Sequence, residues 1–367
     1  MKLPTIPLIL SALAYETFAA PTKLSTPLSL KLTTSPWSSL ASQLNSALPT
    51  ISVSKVLAAV DHAGSAVTPA SPLIKDLRFS STDGTTTGWY PQGVTTSADS
   101  LDSGKVDGVE VLLTSWYDHT TGGPKGVRIG FTNPTTGKYV YALLVVPKSI
   151  SSGTSYDALK GVHAGGIMWY GNHLYVVDTW FGLRIFDMNK ILQVTAGSGI
   201  GLNGGKYYAH GYKYIIPQIG TYTPTSGSTK FRFSYISLDR TSTPDSILVG
   251  EYESPATTAR IARFDINYQT RLLSTGTRRD MWKIGKTSIQ GGVVVNGRFY
   301  FTKSHGEGGK SELLVWNGKA SGEVVSKGAI LPNGAEDLSY WKSKDALYSV
   351  GEHPGKRKVF AVKASRY

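Results

Sequence analysis

The stretch HAGGIMWYGNHLYVVDTWFGLRIFDM, residues 163–188, contains three short apolar runs separated by two turns that contain glycine. Short apolar runs bounded by turn residues are typical of β-strands that follow one another as antiparallel neighbours. A histidine precedes the first run, and Asp178, Trp180 and Arg184 cluster at the second turn. The stretch therefore predicts a unit of consecutive β-strands with polar residues at its ends.

A weak repeat of the same pattern extends along the chain. Each copy has an opening rich in small residues, a first strand, a tight turn, a second strand with charged and aromatic residues at its end, and a third strand. The openings are YPQGVTTS at 90–97, HAGGIMWYG at 163–171, IPQIGTY at 216–222, IQGGVVVNG at 289–297 and GAEDLSYW at 334–341.

The spacing of the openings indicates the architecture. Gln92, His163, Gln218, Gln290 and Glu336 mark equivalent positions, and they are 71, 55, 72 and 46 residues apart. A four-stranded propeller blade takes roughly 40–50 residues plus its loops. We therefore predict an all-β fold, a β-propeller of five blades; six or seven irregular blades and a β-sandwich are the alternatives.

Three regions follow along the chain. Residues 1–19 resemble a secretory signal, with Lys2, an apolar run and small residues before a cleavage site after Ala19. Residues 20–73 form an N-terminal extension, a linker or a surface wrap with a helix capped by Ser35. Residues 74–367 form the propeller, and DLRFSS at 76–81 is expected to pair with the last three strands and close the ring.

Composition and charge restrict the function. The chain has no cysteine and a formal net charge of +13, which in a secreted protein favours polyanions such as acidic polysaccharide or cell-wall glycan. Basic runs are short and no helix carries a Lys/Arg stripe, so nucleic acid is not the expected ligand. No later stretch is long and apolar enough to span a membrane, and we expect a secreted, extracellular monomer.

In a propeller, the first strand of every blade begins on the face to which the turn between the second and third strands returns. Polar residues at these positions should therefore converge at one mouth of the central channel. The candidate catalytic residues are His163, Asp178, Glu251, Glu336 and Glu352, and the candidate substrate-binding residues are Gln92, Trp116, Trp180, Arg184, Gln290 and His353.

Two chemistries fit these residue types. In a polysaccharide lyase, His163, Tyr90 or Tyr170 would remove the proton beside a uronate carboxylate, which Arg184 or a bound cation would neutralise. In a glycoside hydrolase, two of the four acids Asp178, Glu251, Glu336 and Glu352 would serve as acid and base. Trp116 and Trp180 would stack on sugar rings, and Ca²⁺ is the metal that Gln, Asp and Glu oxygens suit.

Simpler interpretations stay open. Asp178 and Arg184 can pair across a turn, the tryptophans can pack between blades, and carboxylates at turns can cap backbone N–H groups. The second hypothesis for the function is therefore a lectin-like or wall-binding propeller without catalysis, and the third is a purely structural or host-interaction protein.

The segments WYPQGVTT, LLTSWYDH, HAGGIMWYG, YVVDTWFGLRIFD, SLDRTSTPDS, GAEDLSYW and PGKRKVFAV resemble a family of secreted, largely uncharacterised propeller-like proteins of filamentous fungi and actinobacteria. The resemblance covers about residues 75–367. It implies secretion and supplies no catalytic residues.

Overall fold

The computed structural model describes residues 20–367, so the predicted signal segment lies outside the described residues. The described chain is nearly all β, which confirms the predicted fold class. The α-helices of this part are short: α1 Trp37–Ala47, α2 Val53–Ala58, α3 Ser81–Thr85 and α4 Ser97–Ser100.

The principal strands of the described chain fall into five units of four antiparallel strands, and a parallel strand pair joins the first two units into one 11-stranded sheet. Before the first unit come β1 Thr22–Lys23, β2 Leu30–Thr33, β3 Ser65–Ala66 and β4 Leu73–Arg78. Unit 1 contains β5 Trp89–Thr96, β6 Leu112–Asp118, β7 Val127–Thr132 and β8 Tyr139–Ile150, and β9 Gly153–Ala158 extends it. Unit 2 contains β10 Ile167–Tyr170, β11 His173–Asp178 and β12 Gly182–Asp187; then come β13 Leu192–Gln193, β14 Ile200–Asn203 and β15 Lys206–Ala209, and the fourth strand is β16 Tyr214–Pro224.

Unit 3 contains β17 Tyr235–Asp239, β18 Ser246–Gly250, β19 Arg260–Ile266 and β20 Leu273–Lys283. Unit 4 contains β21 Ile289–Val295, β22 Arg298–Lys303, β23 Glu312–Trp316 and β24 Val325–Ser326. Unit 5 contains β25 Ser339–Trp341, β26 Ala346–Val350 and β27 Lys358–Lys363, and β4 completes it by pairing with β27. The predicted pairing of the segment near residue 76 with the last three strands is therefore confirmed.

The first strands of the five units form a closed ring. β5 contacts β10, β10 contacts β17, β17 contacts β21, and β25 contacts both β21 and β5. Apolar clusters fill the space between consecutive units all the way around, including the pair formed by units 5 and 1. Each sheet therefore buries both faces against its neighbours, and the chain needs no disulfide to close the ring.

The ring is narrow because backbones meet directly. A Cβ atom on Gly166 would lie 2.5 Å from the nitrogen of Ile236, and one on Gly291 would lie 2.6 Å from the carbonyl oxygen of Glu336. The Gly-Gly pairs of the openings thus permit close approach of neighbouring first strands, rather than close approach of a ligand.

Asp337 connects two of these strands. Its Oδ2 accepts hydrogen bonds from the backbone N–H of Val94 in β5 (3.2 Å) and of Ile167 in β10 (3.0 Å). Burial raises the pKa of Asp337 well above its usual value, against the opposing effect of these donors. Asp337 is therefore a structural residue at the axis.

One predicted opening is wrong. Residues 216–222 belong to β16, the fourth strand of unit 2, and the first strand of unit 3 is β17. β16 pairs with β12, β13 and β2, and also in parallel with β8 of unit 1. Because it is covered on both sides, it is as apolar as a first strand. Gln218 is consequently 0% exposed and lies away from the ring.

The N-terminal extension is a surface wrap rather than a linker. β1 pairs with β20, β2 pairs with β16, and α1 packs on β8 and β16. The predicted helix exists, but Pro36 occupies its N-cap position and no side chain caps it, so the assignment of Ser35 as the cap was wrong.

Candidate functional site

Two β-bulges direct glutamine side chains towards the axis. The register of β5 against β6 shifts between Pro91 and Val94, and the register of β21 against β22 shifts between Ile289 and Gly291. Gln92 and Gln290 fall in these shifts. A bulge commonly re-aims a side chain beside a functional site, and both glutamines line the same cavity at the mouth of the ring.

The axial cavity has a volume of about 280 Å³. Five residues predicted from the sequence line it together, which are Gln92, His163, Gln290, Glu336 and Glu352. Two further depressions, of about 530 and 230 Å³, also border His163. The predicted convergence of side chains from different units therefore occurs, with His163 where the three depressions meet.

A chain of hydrogen bonds determines the protonation of His163. Gln92 Nε2 donates to Glu352 Oε2 at 2.8 Å, so Gln92 Oε1 faces His163 and can only accept. The 2.9 Å contact between Gln92 Oε1 and His163 Nε2 then requires a hydrogen on Nε2. In the neutral imidazole, Nδ1 consequently carries a free lone pair, which is the requirement for a base.

The surroundings of His163 favour the neutral form. Desolvation by the surrounding protein lowers the pKa of His163, the negative charge of Glu352 opposes this, and the positive charge of Arg232 lowers the pKa further. The ring of Tyr117 lies against the imidazole, with 4.2 Å between ring centroids, and so restricts its orientation.

Glu336 and Glu352 form a carboxyl pair at the cavity wall. Both side chains line the cavity; Glu336 is 2% exposed, and Glu352 accepts the hydrogen bond from Gln92. Burial, followed by the charge of Glu352, raises the pKa of Glu336 well above its usual value. Glu336 is therefore the member of the pair that holds the proton.

Replacing Glu336 by glutamine should change the pH dependence of stability. The raised pKa means that the stabilising contribution of Glu336 is complete below its usual pKa of 4.5 and is lost as the pH rises through the folded-state value. We expect the free energy of unfolding of E336Q, relative to that of the wild type, to increase by at least about 1 kcal/mol between about pH 5 and pH 8. Urea unfolding at several pH values measures this, and a constant difference between the two proteins would contradict it.

Arg232 is the main residue of the cavity that the sequence analysis missed. Its Nη1 donates to the carbonyl oxygen of Tyr252 at 2.9 Å and its Nε has no hydrogen-bond partner. No carboxylate among residues 20–367 forms an ion pair with it. Arg232 stands shortly before β17, as His163 stands before β10, so a correct assignment of the unit 3 opening would have identified it.

The side depression of about 530 Å³ has an aromatic rim. Trp180 is 67% exposed and Phe181 is 36% exposed, and both line this depression with His163 and Asp178. The guanidinium of Arg184 lies 4.5 Å from the centre of the Phe181 ring. Arg184 also binds Asp178 at 2.8 Å and Gln218 at 3.1 Å, so Asp178 and Arg184 pair across the turn.

Two further site predictions are corrected by burial. Trp116 is 0% exposed and packs against Phe79 and Arg128, so it is no sugar platform. Glu251 is 3% exposed and holds both Arg260 and the backbone N–H of Arg232. Both side chains are buried because each contacts an arginine from the third strand of its own unit. Arg128 of β7 lies against Trp116, and Arg260 of β19 donates to Glu251.

His353 is 9% exposed and lies 3.7 Å from Glu352, but it lines none of the three depressions around His163. Neither of the two tyrosines that were predicted as alternative bases, Tyr90 and Tyr170, lines the axial cavity. Tyr170 is at the opposite end of β10, where its hydroxyl donates to Asp245 at 2.6 Å. Tyr90 lies under the guanidinium of Arg357, 4.6 Å from the ring centre.

In the part of the chain that the structure describes, no group of three or more His, Asp or Glu side chains is placed to hold a metal ion. None of the described helices is long and apolar enough to cross a membrane.

Neither a protein-family model nor a curated protein matches the chain. Several solved structures are similar over much of its length. The structure of RS223 β-xylosidase is similar over 75% of this chain and 92% of its own, with 10% identity and a TM-score of 0.36. The GH43_1 enzyme from Xanthomonas citri complexed with xylotriose is similar over 88% of this chain and 92% of its own, with 9% identity and a TM-score of 0.35.

Hydrazine synthase of Kuenenia stuttgartiensis is similar over 71% of this chain and 73% of its own, with 10% identity and a TM-score of 0.36. Scores of this size carry no argument about function. The function is therefore argued from the side chains of the site.

Proposed function

We propose that the five sheet units are the blades of a five-bladed β-propeller, and that the protein cleaves an anionic glycan by β-elimination in the axial cavity. The observation that carries the proposal is the presence in one cavity of His163, whose pKa is lowered, and of Arg232, which has no carboxylate partner among residues 20–367. Elimination from a uronate needs a base for the proton and a cation for the carboxylate beside it.

The step balances with water as the one further reactant. His163 Nδ1 takes the proton from the carbon that bears the uronate carboxylate, and the electron pair of that bond forms the new carbon–carbon double bond. The bond from the adjacent carbon to the glycosidic oxygen breaks, and this oxygen takes a proton from a water molecule.

Hydrolysis is the less favoured chemistry. Glycosidases separate their two carboxyl groups by about 5–5.5 Å when they retain configuration and by about 6.5–9.5 Å when they invert it. Of the two carboxyls among the described residues that line the axial cavity, Glu336 is 2% exposed and Glu352 accepts a hydrogen bond from Gln92. Asp178 and Glu251 are held by Arg184 and Arg260.

A glycan screen tests the proposal. Chain beginning at residue 20 is incubated with polygalacturonate, alginate, xylan and arabinan, and both new reducing ends and the ultraviolet absorbance of unsaturated uronates are recorded. Elimination predicts both signals together, on uronate polymers alone. New reducing ends without the absorbance would replace elimination by hydrolysis, and the absence of both signals would leave a binding protein.

Arg232→Gln should separate recognition of the carboxylate from other contacts. The variant keeps a polar side chain and loses the charge, so we expect kcat/KM on a uronate polymer to fall roughly 100-fold. Retention of uronate cleavage at the wild-type rate would contradict the assigned role. Arg278→Gln is the matched control, because Arg278 binds the N-terminal extension through Leu24 and Thr26.

The second candidate function is glycan binding without cleavage, and the exposed Trp180 favours it. A solvent-exposed tryptophan beside a depression provides an apolar face for a sugar ring. We propose that Trp180 forms such a platform in either case.

Trp180→Ala should weaken glycan binding roughly tenfold, since an aromatic contact contributes about 0.5–1.5 kcal/mol. Its unfolding free energy should stay unchanged because the side chain is 67% exposed. Affinity electrophoresis and urea unfolding measure the two effects. Equal affinity of variant and wild type would remove Trp180 from the binding site.

We further propose that the protein acts outside the cell as a secreted monomer. The signal-like segment before residue 20 and the positive net charge support this location.

A further inference from the structure

A second, basic groove lies beside the axial cavity on the same face of the ring. It has a volume of about 540 Å³ and is formed by the loops of units 4 and 5. Arg78, Lys310, Lys356 and Lys358 line it, and Asp76 is the one carboxylate among the described residues that does. Asp76 binds Lys358 at 2.7 Å and lies 3.9 Å from Arg78, so this one carboxylate leaves the four cations with an excess of positive charge.

The groove and the axial cavity share a wall. The loop from Glu352 to Arg357 faces the axial cavity through Glu352 and faces the groove through Lys356 and Arg357. Arg357 Nε donates to the carbonyl oxygen of Glu352 at 2.6 Å. A chain bound in the axial cavity can therefore continue over this loop into the groove.

We infer that the groove holds further uronate units of the same glycan chain, so that the substrate is a polymer rather than a short oligosaccharide. This inference rests on the proposed function. Cations placed along the groove match a carboxylate on every sugar, and its apolar floor, with Leu73, Ile330 and Pro332, matches sugar rings. Because none of the described residues that line the groove is aromatic, these residues provide no stacking platform of the kind that single-stranded nucleic acids need.

Binding of size-fractionated oligogalacturonates and oligoalginates tests the inference. The wild type should bind oligomers of about ten units at least roughly tenfold more tightly than dimers at low salt, and the gain should shrink as salt is added. K310E/K356E should lose this gain and bind dimers normally. The matched control K105E/K319E changes the same charge at two exposed lysines outside the groove and should keep the gain.

Equal affinities for dimers and longer oligomers, or equal losses in the two double variants, would overturn the inference. A charge-dependent gain with a single-stranded oligonucleotide and none with either uronate series would also overturn it, in favour of a nucleic-acid surface. Since the readout is binding, a groove-dependent gain in a protein that releases no unsaturated product would refute elimination and support the groove.

Discussion

His163→Ala should lower kcat for uronate elimination roughly a thousandfold, the usual size of the contribution of a positioned base. The imidazole is the group in the axial cavity whose hydrogen bonds leave an unprotonated nitrogen free, because Gln92 occupies Nε2. The variant should fold normally, since His163 is exposed to the cavity. Stopped assays of unsaturated-uronate absorbance measure the loss.

The pH profile distinguishes a base from a structural histidine. Because the pKa of His163 is lowered from 6.5, more than half of the imidazole is neutral at pH 6.5, and the midpoint of the acid limb of kcat/KM should lie below pH 6.5. In His163→Ala this acid limb should disappear, and added imidazole should restore part of the rate. The control is His305→Ala, which removes an exposed histidine bound to Glu312. Undiminished kcat in the His163 variant would refute the assignment.

Asp337→Ala should lower the free energy of unfolding by about 3 kcal/mol. The substitution leaves the backbone N–H groups of Val94 and Ile167 without their acceptor in the interior of the ring, and each buried unpaired group costs about 1–3 kcal/mol. Both strands begin at the axial cavity, so the loss also loosens the site. Urea unfolding at pH 7 measures the change.

Asp337→Asn separates the acceptor from the charge. The amide oxygen can still accept from these donors, so we expect a loss of less than half of that in Asp337→Ala. Burial raises the pKa of Asp337, so ionisation of Asp337 at high pH destabilises the native wild type. The free energy of unfolding of Asp337→Asn relative to that of the wild type should therefore be most favourable at high pH. Equal stability of the alanine variant and the wild type would show that Asp337 does not connect the strands.

The apolar runs and glycine turns of the sequence were sufficient to predict strands, their order and the closing strand, because strand formation depends on local alternation and on turn residues. The same local signal failed at β16. This strand is apolar because strands distant in the chain, β2 and β8, pair with it. Nothing in residues 216–222 distinguishes this environment from that of a first strand in the ring.

The site divides in the same way. Placing polar residues at strand starts and second-strand ends was enough to gather Gln92, His163, Gln290, Glu336 and Glu352, since equivalent ends of repeated units share a face. Whether a predicted acid is available for catalysis depended on its ion-pair partner. Glu251 is paired with Arg260, and Asp178 is paired with Arg184. Exposure also depended on packing, which buried Trp116 and left Trp180 open.

The sequence by itself determined an all-β chain of repeated strand units with polar openings and an excess of positive charge, because composition and alternation are properties of neighbouring residues. The tertiary structure decided the protonation of His163, the carboxyl pair of Glu336 and Glu352, and the arrival of Arg232 at the cavity. These properties depend on distances between side chains that are not neighbours in the chain, such as Gln92 and His163 with a separation of 71 residues. Electrostatic interactions act across space rather than along the sequence, so only the fold could establish them.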